Sequence, residues 1–233
     1  MAAALSRIEA MVDEGGHHLV ATVNPEFVMQ AQTDSQFARV LESADLCLPD
    51  GSGVLWAARR QGCEVRTRVT GTDLVEPLAA LCARRGFGMF LLGAAPGVAD
   101  VLARRLSDRN PGLIVAAHSG SPEAMSDAET LQRIHAAGAK VLLVAYGAPA
   151  QELWMDRLRE QLGVQVAIGV GGAFDYLSGR VRRAPYWMRG AGAEWAYRLG
   201  RQPWRIRRMS VLPVFAWRVL TARPLTASGR GQD

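Results

Sequence analysis

The stretch Leu48-Pro49-Asp50-Gly51-Ser52-Gly53-Val54 sets one carboxylate between a short apolar run and a glycine turn. An acid at the carboxyl end of a buried strand, held by such a turn, is a common way for an α/β protein to aim a reactive group at a ligand. A carboxylate held there can take the proton of an attacking hydroxyl, the work of a general base. Asp50 before a Gly turn also suits a helix N-cap, so a structural reading stands beside the chemical one.

Polar groups recur at comparable breaks. Thr22-Val23-Asn24 ends an apolar run before Pro25 and offers two hydrogen-bonding side chains, although Asn before Pro is also ordinary turn chemistry. Gly93-Ala94-Ala95-Pro96-Gly97 permits close backbone approach ahead of a helix N-terminus, which favours phosphate or simply makes a tight turn. Gly147-Ala148-Pro149-Ala150-Gln151-Glu152 repeats the device, with Glu152 read as answering the helix dipole. Gly169 to Asp175 begins like a dinucleotide fingerprint, but Phe174 stands where the third glycine belongs. Gly93, Gly147, Gly171 and Gly172 are the glycines expected to admit a nucleotide.

Absences narrow the chemistry. The chain has no P-loop, no G-x-S-x-G elbow, no H-E-x-x-H and no D-x-D pair, and its histidines show no ligand spacing. No metal site and no bound cofactor are expected. A departing diphosphate would be stabilised by arginines and helix N-termini.

These residues need a scaffold, and the hydrophobic pattern supplies one. Runs near 18–24, 45–48, 87–92, 113–117, 140–146 and 164–170 read as strands, and the segments between them as helices. A helix capped by Thr72 or Asp73 is expected to run to Arg85, and one opened by Pro149 to run through Gln161. Near-continuous apolar strands alternating with helices mean an α/β fold: a Rossmann-like, mostly parallel sheet with helices on both faces. Residues 1–179 are the expected core, 180–222 a basic helical appendage and 223–233 a disordered tail.

The 233-residue chain carries a net charge of +5, unevenly spread. From Arg180 onward, 12 arginines against Glu194 and Asp233 give +10, leaving −5 for residues 1–179. Trp187, Trp195 and Trp204 are interleaved with these arginines, and an apolar stretch, 211–220, follows. Cationic and aromatic residues beside a short apolar run fit a helix in a membrane interface, or else a basic helix docked on its own domain. No apolar run approaches the roughly 20 residues of a spanning helix. Three cysteines without C-x-x-C spacing and no signal-peptide pattern fit a cytoplasmic protein.

Taken in order, TVN at 22–24, LPDGSGV at 48–54, RVTGTDL at 68–74, FLLGAAPGVA at 90–99, YGAPAQE at 146–152, IGVGGAFDYLSG at 168–179, RRAPYWM at 182–188 and EWAYRL from 194 resemble the WecG/TagA/CpsF glycosyltransferases. The chain departs from that pattern at Ala150, where the family usually has lysine, and after His118, where an aromatic residue is missing. The resemblance implies an inverting transferase that moves a sugar (N-acetylmannosamine, its uronic acid or glucose) from a UDP-sugar to a polyprenyl-diphosphate-linked glycan. It would work at the inner face of a bacterial cell membrane, making cell-wall or secreted polysaccharide. Asp50 then corresponds to the proposed base, and Thr22, Asn24 and Gln151 to polar residues lining the same pocket. The arginine-rich tail corresponds to an appendage that completes the site and meets anionic lipid; Arg183, Arg198 and Arg205 are the first choices to face the diphosphate. Two other readings remain at this point. One is an anion-binding module without catalysis, although no nucleic-acid fold signature is present and no nucleic-acid partner is expected. The other is a different nucleotide-dependent enzyme on a doubly wound sheet. A homo-oligomer is open, since apolar surface under a lifted tail could join two subunits.

Overall fold

Strands apolar at every position must be covered on both faces, and central strands here meet that description. In the computed structural model, which describes residues 1–65, 67–185, 188, 197 and 210–222, β3 (Met89–Gly93) and β5 (Val141–Ala145) are buried throughout. They belong to a six-stranded sheet with β1 (His18–Val23), β2 (Leu46–Pro49), β4 (Val115–His118) and β6 (Val166–Gly169). The order is β2-β1-β6-β5-β3-β4, and every pairing is parallel. The expected doubly covered parallel sheet is therefore present.

Alternation along each strand divides the core in two. Val20, Leu91, Leu143 and Ile168 face one layer, with α1 (Ala2–Glu14), α5 (Gly71–Arg85), α6 (Val98–Arg109) and α9 (Ala173–Leu177). Leu19, Ala21, Phe90, Leu92, Leu142 and Val144 face the other, with α3 (Ser35–Glu42), α7 (Asp127–Ala137) and α8 (Ala150–Arg157). The period of two in side-chain direction makes this division automatic once the sheet forms. α1 was not anticipated from the sequence. It buries Ala4, Ile8, Met11 and Val12, and Arg85 at the end of α5 ties it down through Glu9 and Asp13.

Some boundaries differ from the sequence expectation. The cap of α5 is Thr70, whose Oγ1 accepts from the Asp73 N–H at 3.0 Å, rather than Thr72 or Asp73. α8 stops at Arg157, short of Gln161, and turns carry the chain on to β6. The apolar stretch near the carboxyl end is one helix, α10 (Val211–Thr221), despite Pro213. Pro213 falls in its first turn, where the missing N–H has no intrahelical partner to lose. α10 lies on α2 (Pro25–Ala31) and α4 (Ser52–Arg60), burying Phe215 and Val219. The Arg60 guanidinium donates to the carbonyls of Val219 and Leu220 at 3.3 and 3.2 Å, closing the helix end. Residues 223–233 lie outside the described residues.

The chain leaves β1 for one edge of the sheet and β3 for the other, so the loops beyond β1, β6 and β5 diverge and leave a crevice. β2 is fixed to β1 at both ends. Asp45 Oδ2 accepts from the Leu19 N–H at 2.8 Å, and the Asp50 N–H donates to the Val23 carbonyl at 2.8 Å. The start of α5 closes on the same region, because Gly71 has no side chain to hold it away. A Cβ at Gly71 would stand 3.0 Å from both the Cα and the carbonyl oxygen of Val170.

Gly71→Ala should therefore push α5 from the end of β6 and cost about 1–3 kcal/mol, as overpacking against rigid backbone does. A denaturant titration checks this, and an unchanged midpoint would contradict the close approach.

Candidate active site

Four strand ends surround a cavity of about 270 Å³. Thr22 and Asn24 enter from β1, Asp50 from β2, Gly147 and Gln151 from beyond β5, and Gly171 and Gly172 from beyond β6. Seven residues singled out in the sequence thus share one space. Thr72, Tyr146, Asp175 and Tyr176 line it as well, and were not anticipated. Each lies inside or beside a quoted motif, so the signal was position next to a glycine turn.

Asp50 does not cap the helix that follows it. The N-cap of α4 is Gly51, at φ 119°, with no side-chain cap bond. The Asp50 carboxylate instead approaches the first turn of α5, with Oδ2 3.5 Å from the Gly71 N–H. That is a long contact. It sets the carboxylate against the N-terminus of α5.

The three neutral polar residues differ in how much they have left to offer. Thr22 is buried, and its hydroxyl donates to the Gly169 carbonyl at 2.7 Å, tying β1 to β6. Its oxygen can still accept. Asn24 is the N-cap of α2, its Oδ1 accepting from the Phe27 N–H at 3.1 Å, so the turn reading of this residue is realised together with its place in the cavity. Gln151 Oε1 accepts from the N–H groups of Gly147 at 3.1 Å and Gly171 at 3.0 Å. Those two glycine N–H groups, expected to face a nucleotide, are already engaged within the protein. Gly93 lies apart from the cavity lining: a Cβ there would meet the Ala145 carbonyl carbon at 2.8 Å, so this glycine serves strand packing.

Arg183, expected to face a diphosphate, donates from Nη1 to Asp73 Oδ1 at 2.6 Å and is not part of the lining. Burial opposes ionisation of Asp73, but the bond from Arg183, the Thr70 hydroxyl and the charges of Arg183 and Arg68 outweigh it and hold the carboxyl below its ordinary range. This clasp, with buried Ala184 beside it, keeps the chain on the core past Gly179. Arg198 and Arg205 lie outside the described residues. Among the described residues, no three His, Cys, Asp or Glu side chains gather closely enough to hold a metal ion.

A second, more apolar cavity of about 520 Å³ adjoins the first, sharing Glu26, Phe27 and Ala148. Met29, Phe37, Pro149 and Val211 supply its apolar wall.

Glu152 is the least expected member of this region. It stands in the first turn of α8, where the sequence reading has it answering the helix dipole, but it is fully buried, and its Oε1 accepts from Gln151 Nε2 at 2.6 Å. Burial raises its carboxyl from 4.5 to about 7, against the lowering effect of the Gln151 bond and its own backbone. A folded-state value above the unfolded one means that neutral Glu152 contributes stability fully below about pH 4.5, and that this is lost as pH rises through about 7. Glu152→Gln, which cannot ionise, should lose less melting temperature than the parent between about pH 5 and 8. Parallel losses in a pH series of melting curves would refute a buried, neutral carboxyl.

Comparison with known proteins agrees with this geometry. The family model described as "Glycosyl transferase WecG/TagA/CpsF family" matches residues 1–228. The chain is 34% identical over 211 residues to the N-acetylglucosaminyldiphosphoundecaprenol N-acetyl-beta-D-mannosaminyltransferase of Bacillus subtilis (strain 168), covering 90% of this chain and 81% of that one. The Bacillus spizizenii protein of the same name is 33% identical over 209 residues, with the same two coverages. The chain belongs to the WecG/TagA/CpsF family of glycosyltransferases.

Proposed function

We propose that this protein transfers a sugar from a UDP-sugar to a polyprenyl-diphosphate-linked glycan, with inversion at the anomeric carbon. The observation that carries this reading is the convergence of Asp50, Thr22, Asn24 and Gln151 on one cavity at the carboxyl edge of the sheet. N-acetylmannosamine is the first donor sugar to test, since both relatives are named for its transfer onto a lipid-linked N-acetylglucosamine. The β configuration in those names is the one that inversion of an α-linked nucleotide sugar produces.

In this reading the acceptor hydroxyl attacks the anomeric carbon from the face opposite the UDP, and Asp50 takes its proton as the new glycosidic bond forms and the bond to UDP breaks. Thr22 and the Asn24 amide orient the sugars. Charge growing on the diphosphate is met by arginines of the tail, with Arg198 and Arg205 still the first choices and Arg183 now assigned to Asp73. No metal is assigned a role.

The membrane part of the proposal rests on α10. Its inner face holds Phe215 and Val219, while its outer face leaves Val214, Trp217 and Leu220 46%, 68% and 52% exposed. A helix apolar on both sides, with its outer face in solvent, suits an interface with lipid. Trp56 of α4 is a further exposed aromatic, and Arg218 adds positive charge. No described helix is long and apolar enough to cross a membrane. The apolar cavity between α2, α3 and α10 would then take the lipid side of the acceptor.

Purified protein should convert UDP-N-acetylmannosamine and a polyprenyl-diphosphate N-acetylglucosamine to a disaccharide-lipid, with or without EDTA. Asp50→Asn should lower kcat by at least about 10²-fold at an unchanged melting temperature. Failure of the parent with every UDP-sugar tried would overturn the reading; near-normal turnover by Asp50→Asn would remove that residue from the role of base. In a vesicle-sedimentation assay with anionic lipid, Trp217→Glu should weaken binding about tenfold. Equal binding by parent and variant would take α10 out of the membrane contact.

A further inference from the structure

We propose that Glu152 is a positioning residue for this site: its carboxyl oxygen orients the Gln151 amide, which in turn holds the loops after β5 and β6 at their working separation. The structural half of this statement stands on geometry alone; its kinetic half rests on the transferase reading.

The orientation of Gln151 is fixed by its partners. Two backbone N–H groups, of Gly147 and Gly171, converge on its oxygen at 3.1 and 3.0 Å. The flipped amide would set N–H against N–H at both contacts, so only one orientation satisfies the network. Nε2 must then point the other way, and Glu152 Oε1 is the acceptor that meets it, at 2.6 Å. One Nε2 hydrogen is thereby consumed, and the other is what Gln151 has left for the cavity it lines.

Gly169 makes room for the pair. A Cβ at that position would lie 2.5 Å from both Gln151 Nε2 and Glu152 Oε1. The carbonyl of the same glycine receives the Thr22 hydroxyl. Gly169 therefore touches, on its two sides, both of the polar devices that join strand ends around the cavity.

A carboxyl is a costly choice for such a place. Glu152 has no solvent exposure, and its Oε2 has no hydrogen-bond partner among the described residues. An apolar side chain of the same size would fill the space without that desolvation cost. The acceptor oxygen facing Gln151 is what an apolar residue could not supply. Burial raises this carboxyl to about 7, so below that pH it meets the Gln151 amide as a neutral acceptor.

The test uses the full chain with Glu152→Gln, Glu152→Leu and Gly169→Ala. Amide hydrogen exchange at Gly147 and Gly171 is read by NMR, beside melting temperature and the kinetics of transfer. Glu152→Leu and Gly169→Ala should each speed exchange at both glycines by about tenfold or more, while amides within β5 remain protected. Both should lower kcat more than they raise KM for either substrate. Glu152→Gln keeps the acceptor oxygen and should restore slow exchange and most of kcat. Equal exchange in parent and Glu152→Leu, or equivalence of Gln and Leu at position 152, would overturn the proposal. The parent alone gives a check that needs no variant: one Gln151 side-chain hydrogen should exchange at least about 100-fold more slowly than those of exposed Gln32. Comparable rates would also overturn it. Absence of transfer in the parent, with the exchange pattern as stated, would remove the transferase reading and leave the positioning role intact.

Discussion

The floor of the cavity is joined by one oxygen atom. A parallel sheet pairs the backbone within its strands, but beyond their carboxyl ends each chain departs for a different helix and pairing stops. At β5 and β6 that divergence is checked by Gln151 Oε1, which takes an N–H from the first residues of both loops. A side-chain amide is suited to this because its oxygen has two lone pairs and its geometry is planar. Gln151 itself is buried, where a hydrogen bond left unmade is costly, so both loops are confined to positions that satisfy it. Asp50 and Thr22 face a space whose opposite wall is set in this way.

Electrostatics divides the molecule along the same line. Within residues 1–179 several carboxylates are paired, as between Arg157 and Asp127 or between Arg159 and Asp45. At the cavity the balance is different. Asp50 lies against the first turn of α5, and the neighbouring Asp73 is held by Arg183, a residue from beyond the core. The Arg183 clasp thus brings the start of the basic tail to the side of the sheet where a departing diphosphate would need compensation.

What could be read in the sequence is what parallel sheets make regular. Apolar runs marked the strands, and the polar residues and glycines at or beyond their ends, Thr22, Asn24, Asp50 and Gly147, marked candidates for the cavity; that Thr22, Asn24 and Gln151 share it with Asp50 came from the family resemblance. Gly93 occupies an equivalent sequence position but lies beyond β3, outside the group of strands that encloses the cavity; only strand order could reveal that. Glu152 was misread for a different reason. Acidic residues in a first helical turn usually face water, and nothing local distinguishes one that packs against a strand glycine. The pairing of Arg183 with Asp73 spans 110 residues, and no spacing rule predicts it. α1 carried a readable pattern in Ala4, Ile8, Met11 and Val12, at helical spacing, that was passed over.

The helix that follows Asp50 is where chemistry and surface meet. α4 begins at Ser52, two residues past the carboxylate, and ends at Arg60. Near its start, a Cβ on Gly53 would fall 2.8 Å from Pro25 Cγ and 3.6 Å from Phe215 of α10. At its end, Arg60 closes the last turn of α10. α4 is thus gripped by α10 at both ends, and its first turn is wedged between α10 and Pro25, which itself follows the cavity residue Asn24. Displacing α10 would free the Gly53 contact and the Arg60 bonds together, and both belong to the helix that begins two residues past Asp50. α10 is seated on α4 by a glycine small enough to admit Phe215 and an arginine long enough to reach the last carbonyls.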